Sequence, residues 1–149
     1  MKLILATVSG ALVFFLLGGL FYGLLFKNFF DVNYALVGRA GDMKLWAIGL
    51  GCLTQALFMA WIYPHGYKGG SPMTEGMKFG LFIGLLISVP MIFFFWATFK
   101  VPIRAVVVDS AISGFMTIIA GIVIGLIYGH IATTTVTTER TTVTSATAP

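Results

Sequence analysis

Apolar residues gather along this chain in four long runs, Leu3 to Phe26, Leu45 to Tyr63, Phe79 to Phe99 and Ala105 to Tyr128, with short polar stretches between them. At ~1.5 Å rise per residue, runs of about 19 to 24 residues reach roughly 29 to 36 Å as helices, against a hydrocarbon core of ~30 Å. The pattern predicts an all-α protein: a four-transmembrane-helix bundle with both termini on the same side, occupying residues 1–130, followed by a Thr-rich C-terminal tail over residues 131–149. The first run follows Lys2 and imitates a secretory signal, but it continues to Phe26 without an Ala-x-Ala type cleavage site. It reads as a retained helix.

The connections carry their own signals. Asn28 to Met43 mixes Phe29, Phe30, Tyr34, Leu36 and Val37 with Asp31, Asn33 and Arg39, which suits either a short helix lying in the interface or a plain connector. Pro64 to Pro72 is dense in helix breakers and reads as an ordered turn outside the hydrocarbon. Pro90, inside the third run, removes an N–H and predicts a kink near Ser88, whose hydroxyl is placed to help satisfy the freed carbonyl. After His130 the chain turns threonine-rich, which fits a disordered terminus or solvated stalk, or a segment docking on a partner as an added strand.

Composition agrees with a lipid environment, since 58% hydrophobic against 9% charged residues would leave too much apolar surface on a water-soluble domain of this size. The localisation expected is multi-pass, in a bacterial cytoplasmic (inner) membrane. The net charge of +4 comes from scattered lysines and arginines, which phospholipid headgroups suffice to explain. No basic stripe with interleaved aromatics is present, so nucleic acid is not an expected partner. With four crossings, Lys2, Lys68, Lys78 and Arg140 share one face, and Lys27, Arg39, Lys44, Lys100 and Arg104 the other. That near balance tilts the expectation toward cytoplasmic odd loops and outside termini. Trp46 and Trp96 are the expected interface anchors at one face, and Trp61, Tyr63 and Tyr128 at the other.

Small residues recur every fourth position. Gly76, Gly80, Gly84 and Ser88 line the third run, Thr117, Gly121, Gly125 and Gly129 the fourth, and Gly19 and Gly23 a shorter stretch of the first. Lipid tails are as apolar as leucine, so helices in a membrane associate where small side chains let backbones approach. These stripes serve either packing within the chain's own bundle or contact with another subunit, a second copy or a flat ligand. Cys52 is the one cysteine, which excludes an intrachain disulfide.

Asp109 is the acidic residue inside an apolar run, with Ser113 and Thr117 continuing its face. A carboxylate there must be hydrated, paired or protonated, so it is either a proton or cation site or a structural group capping the helix or pairing with Arg104 or Lys100. Gln55 and Thr54 lie at mid-depth of the second run, where an amide is commonly bonded to a neighbouring helix. His65 and His130 follow the second and fourth runs and are the candidate ligands for haem, a chlorin or a metal, with Met73 or Met77 nearby. Metal-binding spacing such as His-x-x-Glu-His is absent, and no catalytic constellation is present.

Three segments carry a family likeness: Gly18 to Lys27 (GGLFYGLLFK), Pro102-Ile103-Arg104 leading to Val108-Asp109, and the glycine-rich stretch Gly121 to Gly129. On these, residues 1–130 resemble a family of small four-helix bacterial integral membrane proteins catalogued as a domain of unknown function, with Phe21 where that family carries Trp. The resemblance implies the four-helix fold and draws attention to Asp109; it implies no activity. The function expected is a non-enzymatic accessory or assembly subunit. The alternatives are a small oligomeric proton-coupled transporter using Asp109, or a cofactor-binding membrane subunit.

Overall fold

The computed structural model describes residues 1–35, 44–67 and 69–146, with side chains described as far as Gly129. The described chain is helical: α1 (Lys2–Gly18) passes without a break into a π-helical segment (Gly19–Leu25), and α2 (Lys27–Asn33), α3 (Leu45–Gly66), α4 (Pro72–Thr98) and α5 (Ile103–Ala146) follow. Among the described residues, four helices are long and apolar enough to cross a membrane by length and composition: Lys2–Leu25, Leu45–Gly66, Pro72–Thr98 and Ile103–Gly129. We read the chain as a multi-pass membrane protein on that basis.

The helix bounds exceed the apolar runs because a helix ends where its hydrogen bonds end, not where its hydrophobicity does. Pro64 and His65 stay inside α3. Helix α4 starts at Pro72, ahead of the run at Phe79: Ser71 is its N-cap, proline suits the first helical turn, and Glu75 complements the positive helix terminus. Pro90 is carried inside α4 without interrupting it. Ser88 does not satisfy a carbonyl there, since its hydroxyl is buried with no hydrogen-bond partner and faces Gly114. Helix α5 runs beyond Tyr128 and across the expected boundary at residue 130 to Ala146. Extending an established helix costs no new nucleation, which weighs against the extended preference of threonine. In the first connection, Phe29 and Phe30 belong to the short helix α2, while Leu36, Val37 and Arg39 lie outside the described residues.

Helices α4 and α5 pack backbone to backbone. A methyl group added at Gly76 would lie 2.5 Å from Gly121 O; at Gly80, 2.6 Å from Thr117 O and 2.7 Å from Ile118 Cα; at Gly125, 2.5 Å from Pro72 O. Gly84 faces Gly114, and Gly129 sits against the Pro72 ring. The two longer stripes therefore face each other within one chain. Helix α1 lies across α3 and α5, where Gly10 approaches Ala56 and Ile124, and Ala6, Phe14, Ala56, Met59, Ala60, Tyr63, Ile112, Met116, Ala120 and Ile124 make the core. Trp46, Trp61 and Trp96 point outward, but Tyr63 does not: it is buried against Phe79 and Tyr128. The Tyr128 hydroxyl donates to Ala60 O at 2.9 Å, tying α5 to α3.

Gly121→Ala places a methyl group 2.6 Å from Gly76 O and 2.7 Å from Gly80 Cα, whereas at Gly51 it would meet nothing within 4 Å. Gly121→Ala is expected to lower stability by about 1–3 kcal/mol, the usual range for overpacking, and Gly51→Ala to leave it level or raise it. Thermal unfolding of both variants in one detergent checks the contrast.

Candidate functional site

The π segment sets the site. Its wider winding is seen in the Phe26 N–H bonding to Phe21 O, five residues back, at 2.8 Å. π windings are rare and recur at functional positions. This one carries Tyr22 inward to α5, where its hydroxyl donates to Asp109 Oδ1 at 2.6 Å, within the range of charge-assisted O–H···O bonds. Ser113, one turn further along α5, also interacts with the Tyr22 hydroxyl. From just beyond α2, the Tyr34 hydroxyl reaches Asp109 Oδ2 at 3.5 Å. Aromatic contacts hold this arrangement, with Phe30 4.9 Å from Tyr22 and 5.7 Å from Tyr34 between ring centroids.

Asp109 lies nearly two turns inside α5, too far along to cap it, and among the described residues it makes no ion pair with Lys100 or Arg104. Its recorded partners are phenols. Two hydroxyls on opposite oxygens replace part of the hydration that the carboxylate gives up. Neither tyrosine stands out in the sequence: each looks like an ordinary interface aromatic, and nothing at position 22 points to position 109.

Tyr22 also forms part of the wall of an apolar groove between α1 and α3. The groove has a volume of about 590 Å³, and its wall includes Phe14, Gly18, Gly19, Gly23, Cys52, Gln55 and Met116. The short stripe expected to pack at Gly19 and Gly23 packs against nothing within the described chain: a methyl group at Gly18, Gly19 or Gly23 would meet open space. Gln55 is half-buried on this wall, and among the described residues its amide has no hydrogen-bond partner. Thr54 turns away from it and donates to Leu50 O in its own helix at 2.8 Å. Asp109 and Gln55 are thus brought to one neighbourhood through Tyr22, without touching.

Of the two histidines, only His65 has a described side chain. His65 is exposed, its Nδ1–H donating to Trp61 O at 3.0 Å, and the His130 side chain lies outside the described residues. Among the described residues no three of His, Cys, Asp and Glu converge on one point.

Tyr34 lies outside the spanning helices, and its phenol is pushed up from 10.0 to about 12, first by burial and then by the charge and hydrogen bond of Asp109. The folded chain then holds a proton that the unfolded chain releases. This contribution to stability is complete below pH 10.0 and is lost as pH rises toward about 12. Thermal melts at stepped pH are expected to show the wild type losing stability across that window more steeply than Tyr34→Phe.

Comparison with family models finds no match for this chain, and comparisons with curated proteins and with solved structures find none either.

Proposed function

We propose that this chain is a non-enzymatic integral membrane subunit that receives a transmembrane helix of a larger complex, or of a second copy, in the groove between α1 and α3. On the family resemblance, its setting is a bacterial cytoplasmic membrane. The observation that carries the reading is the Gln55 amide, without a partner among the described residues, in a groove whose glycines leave room for close approach. A lipid tail offers that amide no hydrogen bond, whereas a packed helix does, at a gain of ~1 kcal/mol. The same chain already uses glycine-lined contact between α4 and α5, so the mode of association is one its helices support.

Cys52 stands on the groove wall and provides a native anchor for a thiol-linked photocrosslinker. Crosslinking in the native membrane is expected to capture one stoichiometric membrane partner or a second copy, and Gly19→Leu, which fills the groove, to abolish capture. A monomer with no adduct, or capture undiminished by Gly19→Leu, ends this reading.

One further observation favours a second reading, a small proton-coupled carrier. Tyr22 both lines the groove and bonds Asp109, so a polar path joins the groove to a half-buried carboxylate. On that reading Asp109→Asn abolishes proton-driven flux in reconstituted vesicles while the fold is retained; unchanged flux removes it.

A further inference from the structure

Where α3 ends and α4 begins, at the opposite end of α3 from Leu45, the surface holds a recess of about 220 Å³. Its wall combines the aromatic residues Tyr63, Tyr67, Phe79 and Phe82 with the charged residues Glu75 and Lys78. The rings form a continuous surface, with Tyr63 5.8 Å from Tyr67 and 5.3 Å from Phe79 between centroids. The turn above is closed by the Tyr67 hydroxyl donating to Gly70 O at 2.8 Å, and Gly69, at φ +82, supplies a left-handed residue that the reversal needs. Gly70 backs the Glu75 carboxylate so closely that a methyl group there would lie 3.0 Å from Oε1. The carboxylate is therefore placed, with its side chain 23% exposed, while Lys78 reaches outward at 68%.

Two spanning helices end at this corner, so the recess lies at headgroup level. At ~30 Å³ per liquid water, its volume is that of several waters, yet it is smaller than the ~300 Å³ at which pockets for drug-sized molecules begin. We propose that it binds the headgroup of a bilayer phospholipid bearing both a primary ammonium and a phosphodiester, such as phosphatidylethanolamine. The ammonium sits against the placed Glu75 carboxylate and the aromatic wall, where N–H donors and ring faces both favour a cation. The phosphodiester meets the outward Lys78 ammonium. At 3.8 Å, Glu75 and Lys78 are held loosely enough for the two charges of one headgroup to engage them in opposite sense. An anionic headgroup without an ammonium satisfies Lys78 alone and leaves a phosphate close to a carboxylate.

Native mass spectrometry of the full chain, released from detergent with equimolar phosphatidylethanolamine and phosphatidylglycerol, tests this. The wild type is expected to retain the ethanolamine lipid about tenfold over the glycerol lipid, and Glu75→Gln to erase the preference. Lys78→Gln changes an exposed position and is expected to weaken retention of both lipids, so it carries the test should Glu75→Gln fail to fold. Equal retention by the wild type, an unchanged preference in a folded Glu75→Gln, or undiminished retention of both lipids by Lys78→Gln, overturns the proposal. Displacement of the lipid by soluble phosphoethanolamine at equal concentration also overturns it, by making the free headgroup rather than the lipid the ligand.

Discussion

Close backbone contact between α4 and α5 is the constraint on which the rest of this structure depends. In water, burying leucine and phenylalanine would hold the helices together; in a bilayer those side chains gain nothing by leaving lipid for protein. What remains is dispersion between surfaces that fit, and the fit is closest where no side chain intervenes. Gly76 and Gly80 against Thr117 to Gly121, and Gly125 against Pro72, give such a seam. Helix α5 is then the central rod, presenting its glycine face to α4 and Ile112, Met116, Ala120 and Ile124 to the core it shares with α1 and α3.

That arrangement explains why the polar groups lie where they do. Once α4 covers one side of α5, the Asp109 face meets α1, and the π winding of residues Gly19–Leu25 turns Tyr22 onto the carboxylate. The opening between α1 and α3 follows from the same geometry. Gly18, Gly19 and Gly23 supply no side chains to close it, so the groove stays bounded by Phe14, Cys52, Gln55 and Met116. Glycine thus does opposite things in the two halves of the chain: between α4 and α5 it is matched by a facing backbone, and in the π segment no facing element among the described residues meets it.

Much of the architecture is legible in the sequence because bilayer thickness and helical rise together require runs of a definite length, and four such runs are present. The glycine periodicities were also visible, but periodicity names a face and not its neighbour. Gly76 to Gly84 and Gly19 to Gly23 look alike on paper, and only the fold separates seam from groove. Tyr63 shows the same limit: an aromatic at the end of an apolar run reads as an interface anchor, yet its ring is buried against Phe79 and Tyr128. The apolar pattern does not mark the start of α4, because a helix opened by Pro72 can begin in polar sequence.

By itself, then, the sequence determined that four helical segments suit a bilayer and that Asp109 must be hydrated, paired or protonated, since each of these follows from length, composition or the cost of a charge in hydrocarbon. The tertiary structure alone decided that it is paired, and with which groups. The Tyr22 hydroxyl and Asp109 lie 87 residues apart along the chain and 2.6 Å apart in space, and a contact of that kind arises from how rods pack, which no local pattern of residues encodes.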